Sequence, residues 1–65
     1  MNWYIADYCF KAESNGHWFE LGEMGRDYWV LKHWHNSPRS VWYRANSAEE
    51  GKAMAQRLVN GECVA

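Results

Sequence analysis

Three things are scarce in this chain: cysteine, net charge and long apolar runs. Two cysteines, Cys9 and Cys63, stand among 65 residues. Two isolated thiols cannot build the disulfide framework that holds many small secreted domains together. They read as buried free thiols in reducing surroundings. Seven Lys and Arg face eight Asp and Glu, leaving a net charge of −1. That excludes the strong basic field that drives non-specific attachment to nucleic acid, though not a local basic patch. No apolar run approaches the ~20 residues of a membrane span. The stretch from Met1 to Asp7 lacks the basic segment and cleavage site of a signal peptide. The expectation is a cytoplasmic chain that does not engage a membrane.

Aromatic residues, by contrast, are abundant. Five Trp, four Tyr and two Phe make 17% of the chain, and apolar residues make 48%. The apolar share is well above the range of disordered sequences. A chain of this length is one small domain, spanning residues 1–65. Such a domain buries only ~60% of its unfolded surface and needs an added source of stability. Each aromatic side chain can bury roughly 150–250 Å². The rings are that source, and there are enough of them to overfill the core.

The first two thirds read as strands and the last third as a helix. Asn2 to Lys11 is rich in aromatic and β-branched residues and reads as one strand. Asn15-Gly16 between apolar runs is a hairpin signal, because both central residues of the favoured turn need positive φ. His17 to Leu21 follows as a strand, then a looser connection over Gly22 to Asp27, then a strand over Tyr28 to His35. Pro38 marks a turn, since it cannot donate to a ladder. Val41 to Ala45 is the fourth strand. Ser47-Ala48-Glu49-Glu50 is a capping box, with Glu50 expected to reach back to the cap. Ala48, Gly51, Ala55, Leu58 and Val59 recur at 3-4 spacing and form one stripe. Asn60-Gly61 is the stop signal, and Glu62 to Ala65 an extended tail. The fold class is α+β: an antiparallel meander of three to four strands, then one C-terminal helix packed on one sheet face.

Gly51 costs ~1 kcal/mol against alanine inside a helix. Its place in a small-residue stripe predicts close approach to something bulky, expected to be an aromatic ring. A helix of about twelve residues spans ~18 Å, so it covers one sheet face and leaves the other open. Pairing Phe10 with Leu21, Leu21 with Tyr28 and Trp34 with Trp42 sets the faces. It puts Tyr4, Ala6, Tyr8, Phe10, Phe19, Leu21, Tyr28, Val30, Trp34 and Trp42 under the helix. It leaves Trp3, Ile5, Asp7, Cys9, Trp18, Glu20, Trp29, Leu31, His33, His35 and Tyr43 on the open side. Exposed aromatic patches on small proteins mark interaction surfaces, here for a partner or a second copy. The expected partner-binding residues are Trp18, Trp29, His33, His35 and Tyr43, with Arg39 and Arg44 at the edge.

His33-x-His35 puts two rings on one face, a spacing that can chelate a metal, and Cys9 could face the same side. Structural zinc sites want paired spacings such as C-x₂-C. The histidines are therefore expected to face a partner, with no metal and no cofactor. No nucleophile–base arrangement and no phosphate-binding glycine loop occurs, and Asp7 and Glu20 are ordinary strand carboxylates. So small a domain has no room for a deep cleft. The expectation is not an enzyme, with no catalytic residue.

Trp42-Tyr43-Arg44-Ala45, followed by the Ser47-Ala48-Glu49-Glu50 helix start behind a three-stranded sheet, resembles the arm-type DNA-binding domains of phage integrases. The likeness covers about half the chain, and the basic excess of those domains is missing. Nucleic-acid binding stays as the alternative, with Trp18, Trp29 and Tyr43 stacking on bases and Lys32, Arg39 and Arg44 nearby. In size, near-neutral charge, dense aromatics and lack of catalytic motifs the chain resembles small phage or prophage accessory proteins. Among these are anti-CRISPR inhibitors, which occlude a host complex. That resemblance implies a protein-binding module whose partner is a host protein or complex.

Overall fold

Asn15 and Gly16 both take positive φ, +52° and +81°, the backbone of the tight hairpin their side chains favour. Ser14 then pairs with His17 and Phe10 with Leu21, the expected register. In the computed structural model, residues 1–64 are described. Their elements are β1 (Tyr4–Ala6), β2 (Cys9–Ser14), β3 (His17–Gly25), β4 (Tyr28–His35), β5 (Val41–Ala45) and α1 (Ala48–Val59). The strands form one antiparallel sheet in the order β1-β2-β3-β4-β5. The α+β class and the C-terminal helix stand, but the sheet has five strands rather than three to four.

The extra strand comes from a turn that the sequence hides. Asn2 to Lys11 is two strands, because Asp7 and Tyr8 take φ of +54° and +64° and Ala6 pairs with Cys9. Asp tolerates this backbone, while a tyrosine pays for its Cβ. Local bonds hold the turn: Lys11 Nζ donates to Asp7 Oδ2 at 3.0 Å and the Cys9 thiol to the Ala6 carbonyl at 3.3 Å. Cys9 is half-buried and Cys63 exposed, both as free thiols, so only Cys9 approaches the expected buried state.

The connection between β3 and β4 sets everything after it. Gly25 pairs with Tyr28 and Glu23 with Trp29, leaving Met24 as an extra residue on β3. Asp27 in the turn has φ of +51°. Leu21 therefore meets Leu31, three residues beyond the expected Tyr28. An odd shift exchanges the faces of a strand, so β4 is inverted relative to expectation. Lys32, not Trp34, pairs with Trp42. That even shift keeps Trp34 and Trp42 together and carries the inversion into β5.

The helix begins as its cap dictates. Ser47 is extended, and the Glu50 amide donates to Ser47 Oγ at 3.1 Å. Glu50 does not reach back to the cap; its carboxylate accepts from Asn46 Nδ2 at 3.5 Å. At the other end Gly61 has φ of +83°. Its amide donates to the Leu58 carbonyl and the Glu62 amide to the Arg57 carbonyl, the paired bonds of a Schellman stop. Glu62 to Val64 form no regular element, and Ala65, the end of the expected tail, lies outside the described residues.

Phe19, Leu21, Leu31 and Ala55 form the core, flanked by Trp3, Phe10, Trp29, Tyr43, Met54 and Leu58. Gly51 rests directly on Leu21. A Cβ there would lie 3.0 Å from Leu21 Cδ2 and closer still to Cδ1. The bulky group beneath the small stripe is thus a leucine, not a ring. The aromatic side chains flank the helix instead, with Lys52 Nζ over the Phe10 ring at 4.1 Å.

Candidate functional site

Among the described residues no element lies over the face turned away from α1. Cross-strand pairing fixes its rows. Tyr4, Lys11, Glu20, Lys32 and Trp42 stand side by side across five strands. Glu13, Trp18 and Trp34 form the next row, and Cys9, Gly22, Val30 and Arg44 the row on the other side. Large rings lie open on it: Tyr4 is 53%, Trp18 54% and Trp42 63% exposed. Trp34 is half-buried. An open groove of about 440 Å³ runs between Tyr4, Trp18 and Trp34, with Lys11 and Glu20 also lining it.

The charges on this face are placed among the rings. Lys11 Nζ sits 3.0 Å from Asp7 and 3.7 Å from Glu20. The Asp7 hydrogen bond holds the Lys11 ammonium above its ordinary pKa. Lys32 Nζ lies 4.6 Å from the Trp42 ring, and the Arg44 guanidinium 4.6 Å from the Tyr28 ring. Such contacts hold a ring and a cation in fixed relation at an exposed site, for roughly 0.5–1 kcal/mol. The Trp42 indole N–H donates to Ser40 Oγ at 2.7 Å, which orients that ring. Burial pushes the Cys9 thiol up, with Glu20 adding to it, so Cys9 is a poor nucleophile at neutral pH.

The expected partner residues divide between the faces. Trp18 stands on the open face as expected, Arg44, expected at its edge, stands on it opposite Val30, and Arg39 is exposed in the turn after β4. Trp29, His33 and Tyr43 do not. They lie with Leu31 on the helix-covered side, Trp29 and Tyr43 packed against the core and His33 on Phe19. His35 is exposed at the far end of that same side. In their stead the open face carries Tyr4, Lys11, Lys32, Trp34 and Trp42. Lys11 was within reach of sequence reasoning, because it alternates with Phe10 in the one hairpin whose register was secure. The others hinge on Asp7-Tyr8, where no glycine or proline marks the turn, and on Met24, an extra strand residue whose flanking Gly22 and Gly25 leave the register open.

All three histidines of the chain gather on the covered side beyond the helix. His17 pairs across the ladder with His35, and Phe19 with His33. The His17 and His35 rings stack face to face, centroids 3.8 Å apart and planes within 2°. His17 Nδ1 lies 2.8 Å from His33 Nε2 with the rings 7° from parallel. His33 in turn stacks on Phe19 at 4.8 Å. Burial holds His33 below the ordinary histidine pKa, and His17 and His35 add to this. His17 is lowered by burial and then by His35. No carboxylate contributes to either shift.

Among the described residues no group of three His, Cys, Asp or Glu is arranged around one metal position. No helix among them is long and apolar enough to cross a membrane. Comparison of the chain with protein-family models, curated proteins and solved structures found no match.

Proposed function

We propose that the chain is a non-enzymatic protein-binding module that docks a partner on its open sheet face. The observation that supports this best is the row of exposed rings across an uncovered sheet. Tyr4, Trp18 and Trp42 are more than half exposed on a domain whose core already holds Phe19, Leu21 and Leu31. Trp, Tyr and Arg anchors surrounding a partly desolvated centre are the composition of binding hot spots. Trp18, Trp34 and Trp42 are the anchors of this reading, with Lys11, Lys32, Arg44 and Arg39 making charge-assisted contacts at their edges. Action is steric, of the phage-inhibitor kind: the face occupies a surface that a host complex needs.

The arrangement of charge favours a protein over a nucleic acid as the partner. Lys11, Lys32 and Arg44 share the open face with Glu13 and Glu20, and Glu20 stands between the two lysines. A phosphate backbone laid along this row would meet the Glu20 carboxylate at its centre. A protein surface with both signs of charge would not be so penalised. The alternation of cation and ring, Lys32 on Trp42 and Arg44 on Tyr28, favours a second reading, a single-stranded nucleic acid stacked on the rings.

Affinity capture from a lysate of the cell in question, beside oligonucleotide binding at two salt concentrations, separates the two. The module reading expects a protein complex to be retained, retention to be lost in Trp18→Ala/Trp42→Ala, and oligonucleotides to pass through. Tight oligonucleotide binding that falls steeply with salt would replace it with the second reading.

A further inference from the structure

We propose that His17 and His33 form a two-imidazole site for a divalent transition-metal ion of the zinc–nickel–copper class, at the end of the covered sheet face. The site is independent of the open face and of the function proposed for it. Imidazole nitrogen is the common ligand of these three metals. His17 Nδ1 and His33 Nε2 point at one another at 2.8 Å. Two nitrogens that each lie ~2.0–2.1 Å from one tetrahedral ion stand about 3.3 Å apart. The pair is therefore about half an ångström short of ligating separation, and both rings must also turn from their head-on contact for their lone pairs to meet at one ion.

In the metal-free pair one proton lies between the two nitrogens. Either His17 Nδ1–H donates to His33, or His33 Nε2–H donates to His17. When the ion enters, that proton moves to the other nitrogen of its own ring, so both facing lone pairs are free. Each ring stays neutral and no proton is lost. The surroundings favour this state. Among the described residues neither ring has a carboxylate within salt-bridge distance. The supports that fix ring direction are present. Phe19 stacks on His33, and His35 stacks on His17. His35 is itself held by Asn36 and the Gly16 carbonyl, at 3.3 Å each. His35 is a positioning residue here rather than a ligand, because its ring plane faces the His17 ring and not the space between the paired nitrogens. The His-x-His spacing is thus not the chelating pair. The chelating pair crosses strands, and it became visible only when the Asn15-Gly16 hairpin and the β3–β4 register were both known.

The test is calorimetric titration of a tag-free Cys63→Ser chain with Zn²⁺ at about pH 7.5 and again at about pH 5.5. Removing Cys63 keeps its exposed thiol from contributing. One ion per chain is expected to bind at the higher pH and more weakly at the lower, where protons compete with the ion for the ring nitrogens. His17→Ala and His33→Ala are each expected to weaken binding at least ten- to hundred-fold, the loss that removing even an outer-shell partner of a metal ligand brings. His35→Phe, which keeps the stack, is expected to retain binding. The pH comparison on the Cys63→Ser chain, with its histidines intact, still tests the site where a His33 variant fails to fold. Absence of binding at pH 7.5, unchanged affinity in the His17 and His33 variants, or loss in His35→Phe equal to theirs would overturn the assignment.

Discussion

The two faces of one sheet both carry large aromatic rings, yet on one the rings are packed on the core and on the other they are exposed. Beneath α1, Phe19, Leu21 and Leu31 are wholly buried, and rings such as Trp3 and Trp29 close over them. On the other side Tyr4, Trp18 and Trp42 are equally large and lie in water. Aromatic content does not separate the faces, although the charged Lys11, Glu13, Glu20, Lys32 and Arg44 all stand on the open one. What separates them is a single twelve-residue helix, which can cover only one. The lesson is that aromatic content alone does not distinguish core from surface in so small a domain. Register does, because each odd slip exchanges them.

The comparison breaks hardest if the covered face proves dispensable. Phe19→Ala is expected to lose about 3–5 kcal/mol, a large share of the ~5–15 kcal/mol of a whole domain. Urea unfolding should show little folded protein left. Gly51→Ala probes the same face from the helix. The added methyl gains ~1 kcal/mol of helix propensity but strikes Leu21, for a net loss of about 1 kcal/mol. A stabilised variant in thermal unfolding would mean that the helix sits farther from the sheet than Leu21 requires.

Trp18→Ser or Trp42→Ser should shift stability by only about 0.5 kcal/mol, as exposed sites do, while partner retention is lost. The smallest effect is set by the histidines. His17 and His33 are held below the ordinary pKa by burial, so the unfolded chain binds protons first as the solution acidifies. Their contribution is present above the ordinary value of ~6.5 and drains away as pH falls through the lowered folded values. Melting temperature should therefore decline from about pH 7 toward pH 5, and His33→Gln should flatten the decline if the variant folds.

How much of this was legible in the sequence follows the strength of each turn signal. The helix was, from Ser47 to Gly61, because caps and spacing agree. The β2–β3 hairpin was, because Asn15-Gly16 leaves one choice. From that hairpin Trp18 and Glu20 were placed correctly. Asp7-Tyr8 was not, since a tyrosine in left-handed backbone carries no sequence mark. Met24 was not, since an extra strand residue looks like any other. Those two positions turned Tyr4, Trp34 and Trp42 outward and Trp29, His33 and Tyr43 inward, so three of the seven expected binding residues came to rest against the core. The histidine cluster was hidden for a different reason. His17 and His33 are sixteen residues apart, and only the folded ladder brings them together.

The central claim is that stability resides on the covered face and recognition on the open one. The most direct measurement is thermal unfolding and lysate capture of the same Trp18→Ser/Trp42→Ser variant, side by side with the parent chain. A melting temperature within a few degrees of the parent and complete loss of the captured complex are expected. Unfolding as severe as that of Phe19→Ala, or capture undiminished in a folded variant, would contradict it.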